Sequence, residues 1–90
     1  MQRDVVDEQR VYWHSRRGML ELDLVLMPFA QTVYATLDEP GKQGYRDLLE
    51  CEDTDIFAWL VHGVAPEEQN LITIIDRIRA HGRASTPGSN

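Results

Sequence analysis

Only one cysteine, Cys51, stands in this chain of 90 residues. No internal disulfide is therefore possible, and a reducing compartment is expected. Histidine is sparse as well: His14, His62 and His81 lie far apart, none with a carboxylate or thiol at ligand spacing, so no metal site is expected. Basic residues are outnumbered, 9 Lys and Arg against 15 Asp and Glu, for a formal net charge of −6. That balance excludes a general phosphate-backbone binder and leaves one small basic spot, Arg10, Arg16 and Arg17. No stretch approaches the roughly 20 apolar residues that cross a membrane. Met1 to Glu8 mixes charges without an apolar run, unlike a secretory or transit segment. There is no glycine-rich phosphate loop and no dinucleotide fingerprint. Together these absences lead to the expectation of a cytoplasmic protein that holds neither metal nor nucleotide.

Also missing is any convincing alternation at period two, or a hairpin dipeptide between β-branched runs. What is present has helical spacing. The chain reads as an all-α, single-domain bundle of about five short helices over residues 1–82, followed by a frayed Ser/Pro/Gly tail, 83–90. A chain of this length buries only about 60–65% of its unfolded surface, so one core is the limit.

The first helix is expected from Asp4 to Ser15, with Val5, Val6, Val11, Tyr12 and Trp13 as a loose stripe and Gly18 beyond its end. The second begins at Met19, with Gly18 as N-cap and Glu21 at the third helical position. Its inward face is read as Leu20, Leu24 and Met27, widened by Leu22, Val25, Leu26 and Phe29. Pro28 is expected to kink or restart it, with further turns to Leu37. Asp38-Glu39-Pro40-Gly41 reads as a loop. A third helix follows from Lys42 to Cys51 on Tyr45, Leu48 and Leu49. The fourth runs from Thr54 to His62 with Asp53 as N-cap, packs Ile56, Phe57, Trp59 and Leu60, and ends at Gly63. The fifth starts at Pro66, buries Leu71, Ile74, Ile75 and Ile78, and stops at Gly82.

Few residues offer chemistry. Cys51 is followed by Glu52 and Asp53, which disfavour a thiolate, so a buried inert thiol is expected. Glu50, Glu52, Asp53 and Asp55 lack the loop of a calcium site. Trp59 sits among aliphatics and reads as core. The corner Arg16-Arg17-Gly18-Met19-Leu20-Glu21 is left, and two readings of it stand. In one, the charges match the dipoles of the helices they end and begin. In the other, Gly18 admits a partner's backbone while Arg17 and Glu21 make charge-assisted bonds across an interface.

Arg17-Gly18-Met19-Leu20-Glu21 reproduces an R-G-x-x-E motif. With Trp13, Glu21-Leu22-Asp23, Met27-Pro28-Phe29, Leu48-Leu49-Glu50-Cys51 and Asp55 to Leu60, the chain resembles, from Val11 to Ile78, the small assembly factors that serve succinate dehydrogenase. These are the assembly factor E proteins of bacteria and assembly factor 2 of mitochondria. The resemblance implies a five-helix fold and a chaperone, not an enzyme. Its partner would be the flavoprotein subunit of succinate dehydrogenase, and in bacteria that of fumarate reductase, whose covalent FAD attachment it promotes. FAD would belong to that client. The partner-binding motif carries onto Arg17, Gly18 and Glu21, with Met19, Arg10 and Asp23 as neighbours. A bacterial cytoplasmic monomer is expected, since the apolar stripes read as used up by one core. A flavin-ligating enzyme that binds FAD itself and an antitoxin-like regulator are the alternatives.

Overall fold

Two sets of residues in the second helix have the same i, i+4, i+7 spacing, and the fold buries only one of them. The structure, a computed structural model, describes residues 5–85. Five α-helices follow in order: α1 (Val5–His14), α2 (Leu20–Thr32), α3 (Glu39–Leu49), α4 (Asp53–Leu60) and α5 (Gln69–Ser85), with a 3₁₀ turn at Tyr34–Thr36. No strand occurs among the described residues. Helix α2 is the middle element, packed against α1, α4 and α5, while α3 lies along α5. It buries Leu22, Leu26 and Phe29 completely, with Ala30 beside them. The other set, Leu20, Leu24 and Met27, was the expected core face. Leu20 and Leu24 instead remain 69% and 67% exposed, and Met27 is half-buried. Apolar residues surround α2 almost completely, so spacing alone does not choose its inward side.

The ends of the helices also differ from expectation, each for a local reason. The N-cap of α2 is Met19, in an extended conformation, so Glu21 occupies the second helical position and forms no capping box. Pro28 does not restart α2; the helix continues to Thr32, whose hydroxyl donates to the Pro28 carbonyl at 2.8 Å. Pro28 lies on the exposed side of α2, as does Leu24, whose carbonyl it deprives of the usual helical donor. The 38–41 stretch is not a loop. Asp38 accepts the Gly41 N–H at 2.9 Å and caps α3, and Pro40 falls in the first turn, where its missing N–H has no partner to lose. Helix α4 starts at Asp53 rather than after it, with Glu52 at the cap. Helix α5 starts at Gln69, three residues after a buried Pro66, and runs through Gly82 to Ser85. Of the expected tail, 83–85 are thus helical, and 86–90 lie outside the described residues, as does the expected first-helix residue Asp4.

The core joins Val11 of α1, the buried face of α2, Tyr34 and Leu37, Tyr45, Leu48 and Leu49 of α3, Ile56 of α4, and Leu71, Ile74, Ile75 and Ile78 of α5. Val11 is the one buried member of the loose α1 stripe; Val5, Val6 and Trp13 are exposed. Trp59, expected within the core, is instead half-buried and packs against it. Helices α3 and α5 meet across Gly44, where a Cβ would lie 3.3 Å from the Asn70 carbonyl oxygen, so the close approach depends on a missing side chain.

At the end of α2, the Tyr34 hydroxyl donates to Asp7 at 2.7 Å and accepts from Arg46, which also reaches Glu39 at 2.8 Å. Burial, and then the bond to Asp7, push the Tyr34 phenol up to about 12. The folded state therefore prefers the neutral phenol. This contribution to stability is complete below the ordinary tyrosine range near 10 and is lost as pH rises from there through about 12. Titration of tyrosinate absorbance should show a phenol ionising near pH 12 that disappears in Tyr34→Phe; an unchanged titration curve would contradict the assignment. On α2, Leu26→Ala should cost about 2–5 kcal/mol in urea denaturation and Leu24→Ala no more than about 0.5 kcal/mol. Equal losses would place Leu24 in the core.

Candidate functional site

The corner between α1 and α2 is built by three residues that turn inward and two that turn out. Helix α1 ends at His14, and Ser15 follows with its N–H on the carbonyls of Val11 and Tyr12. Ser15 is fully buried. Its hydroxyl lies 2.7 Å from the Val11 carbonyl oxygen and 2.7 Å from the Tyr45 hydroxyl, which in turn reaches the Leu26 carbonyl at 3.2 Å. The two hydroxyl protons can fill two of these three contacts at a time, and together the contacts tie α1, α2 and α3 at one point. Burial pushes the Tyr45 phenol well above the usual tyrosine range, so it remains a neutral donor.

Arg17 turns inward too. Its Nε donates to Asp53 Oδ1 at 2.7 Å, Nη1 to the carbonyls of His14 at 3.2 Å and Leu49 at 2.9 Å, and Nη2 to that of Cys51 at 3.0 Å. Its side chain is only 12% exposed. His14 is the last residue of α1, Leu49 the last of α3, and Asp53 the first of α4. The guanidinium therefore meets helix-end carbonyls that have no helical donor, and an acid at a helix start. For this residue the dipole reading holds at the ends of α1 and α3, and an ion pair with the Asp53 side chain adds α4. Asp23 supports the same corner from the other side, accepting the Arg17 backbone N–H at 2.7 Å.

Between these two anchors the chain passes outward. Gly18 has φ +83°, and a Cβ built on it would meet nothing within 4 Å. Its backbone is open to an approaching surface, in a conformation that costs other residues about 1–2 kcal/mol. Glu21 is exposed and has no ion pair or side-chain hydrogen bond among the described residues. Arg10 is exposed on α1, and Met19 is half-buried against the core. Of the six residues expected at the interface, Gly18, Glu21 and Arg10 face outward, Met19 is shared, and Arg17 and Asp23 hold the corner from within.

Helical spacing puts Glu21, Leu24 and Pro28 on one side of α2, with Leu20 next to them. This exposed apolar strip continues from the corner. Trp13, 65% exposed, stands at the end of α1 beside an open groove of about 250 Å³ whose walls include Tyr12, Ala30 and Ala35. Glu8 also lines the groove. It is smaller than the roughly 300–1,000 Å³ of small-molecule pockets and carries an acid unsuited to a diphosphate. These residues do not fit FAD. Cys51 is half-buried rather than fully buried; desolvation first, then Asp55, Glu68 and Asp47, push its thiol up. Among the described residues, no three His, Cys, Asp or Glu side chains converge as metal ligands.

Two features escaped sequence reasoning. The outward placement of Leu20 and Leu24 follows from the choice between two equal faces. Asp53, expected as a helix cap, is bound to Arg17 instead, and its one signal in the sequence was a carboxylate at a helix start.

Residues 9–82 match the family described as flavinator of succinate dehydrogenase. The FAD assembly factor SdhE of Pseudomonas aeruginosa is 48% identical over 80 residues, spanning 84% of this chain and 95% of the relative. That of Pseudomonas putida is 50% identical over 74 residues, with 78% and 88% covered. The SdhE of Yersinia pestis is 36% identical over 84 residues, with 93% and 96% covered. With the match running from the middle of α1 almost to the end of α5, the chain belongs to the family of succinate dehydrogenase flavinators.

Proposed function

We propose that this protein is an assembly chaperone that binds the flavoprotein subunit of succinate dehydrogenase, and that of fumarate reductase, and promotes covalent attachment of FAD to it. The observation that carries this reading is the open backbone of Gly18 beside Glu21, which is exposed and unpaired among the described residues, on a corner held by Arg17 and Asp23. Gly18 and Glu21 make the central contacts, Met19 and Arg10 flank them, and Arg17 and Asp23 keep the shape of the site. The strip of Leu20 and Leu24 lies under the client.

The chemistry of attachment belongs to the flavin ring and to an acceptor histidine of the client. The chaperone contributes differential binding. A small rigid surface that prefers one client conformation shifts the client's population toward it, and orientation of flavin and histidine follows. Nothing in that role requires an acid, a base or a cofactor cradle on this chain. The protein acts in the bacterial cytoplasm as a monomer. The sequence argument for a monomer, that one core uses every apolar stripe, fails at Leu20 and Leu24; coverage of that strip by the client replaces it.

The test is covalent flavin fluorescence of the succinate dehydrogenase flavoprotein on a denaturing gel. It uses cells lacking this gene and complemented with wild type or Gly18→Arg. Flavin should be lost on deletion and return only with wild type. Gly18→Arg should remain folded, with a cost confined to its positive φ, about 1–2 kcal/mol. Undiminished flavin in the variant would remove the corner from the mechanism, and undiminished flavin in the deletion would remove the function. Equilibrium dialysis should show no retention of free FAD by the isolated chain; retention would favour a flavin-ligating enzyme.

A further inference from the structure

Asp53 lies outside the R-G-x-x-E stretch, on a different helix, 36 positions along the chain from Arg17. We infer that Asp53, with the α3–α4 junction around it, is a positioning residue for client binding: it sets the presentation of Gly18 and Glu21 through Arg17. This rests on the assembly-chaperone reading above.

The geometry runs through a single side chain. Arg17 precedes Gly18 directly, so any shift of its Cα turns the exposed glycine. Its backbone N–H is held by Asp23 and its guanidinium by Asp53 and the carbonyls of His14, Leu49 and Cys51. Of these guanidinium acceptors Asp53 is the one side chain and the one formal charge; the other three are main-chain carbonyls. It is also the one that substitution can remove without touching the corner's own sequence. The junction Leu49–Asp53 is short; the Leu49 carbonyl that ends α3 and the Cys51 carbonyl within the junction both accept from the guanidinium. Loss of the carboxylate would leave a largely buried cation facing helix-end dipoles alone, free to withdraw toward water. Gly18 gives no resistance to such a shift, since nothing packs within 4 Å of its Cβ position.

Asp53 does not need to touch the client for this. Its role separates from general stability because the core contacts of α4 are made by Ile56, with Phe57, Trp59 and Leu60 packed beside it.

The experiment compares wild type, Asp53→Asn, Asp53→Ala and Gly18→Arg for affinity toward the purified flavoprotein subunit, at a temperature where melting curves show each folded. The NMR amide signal of Gly18 is recorded in the free protein. Asp53→Ala should bind about tenfold more weakly, and Asp53→Asn, which keeps an oxygen acceptor for Nε, should recover part of that loss. The Gly18 amide should shift in the same order. Wild-type affinity in a folded Asp53→Ala, with Gly18→Arg defective, would overturn the inference and leave the chaperone reading standing. Wild type that fails to bind the flavoprotein would overturn the chaperone reading itself. The Gly18 amide would still report on the coupling, and an unmoved signal in Asp53→Ala would refute it. Should Asp53→Ala not fold, Asp53→Asn carries both readouts.

Discussion

A guanidinium placed where helices end governs the shape of this small protein. The last carbonyls of α1 and α3 have no donor within their own helices, and Arg17 supplies one to each while pairing with the first residue of α4. Burying a charge is costly unless its hydrogen bonds are made, and here the planar fork of arginine makes four. A lysine in the same place is a point charge without that fork. Three helices therefore converge on one residue, and the residue after it is the most open backbone of the corner. A held side chain and an open backbone are thus adjacent in sequence, on a 90-residue chain with little core to brace such a corner.

A second convergence lies behind the first. Ser15 and Tyr45 share their protons among α1, α2 and α3, next to the turn that leads to Arg17. Both hydroxyls are buried, so each lost contact would leave a polar atom without water. The apolar core gives this bundle its compactness. The two polar anchors fix the angle at which α1 meets α2, which non-directional packing leaves loosely defined.

The legible parts of the sequence were those with a single solution. In α5 the aliphatics Leu71, Ile74, Ile75 and Ile78 form one helical stripe, with Ile72 at its half-buried edge, and all four are buried. In α3, Tyr45, Leu48 and Leu49 behave the same way. Helix α2 was legible as a helix but not in its orientation, because Leu20, Leu24 and Met27 compete on equal terms with Leu22, Leu26 and Phe29. Helix starts were misplaced where two signals overlapped. Asp38 and Pro40 together mark a capped start as readily as a turn, and Asp53 was claimed locally as a cap while its carboxylate was engaged by a residue far away in the chain. Of the site, the motif was legible through the family resemblance, while the residues alone left the dipole and interface readings of Gly18 and Glu21 open. The inward role of Arg17 could not be read, since three of its acceptors are main-chain carbonyls, which every residue possesses and no side-chain pattern announces.

The division between inward and outward charge has a consequence for how the corner responds to its medium. Salt screens exposed charges over about 8–10 Å at physiological strength, and shielded ones much less. Arg17 is withdrawn from water, so the shape it maintains is largely indifferent to ionic strength. Glu21 and Arg10 stand in solvent, so whatever attraction they exert on a partner fades as salt rises. The same few residues thus combine charge that salt screens little with charge that it screens readily, so the outward field of the corner changes with ionic strength far more than the bonds that hold its shape.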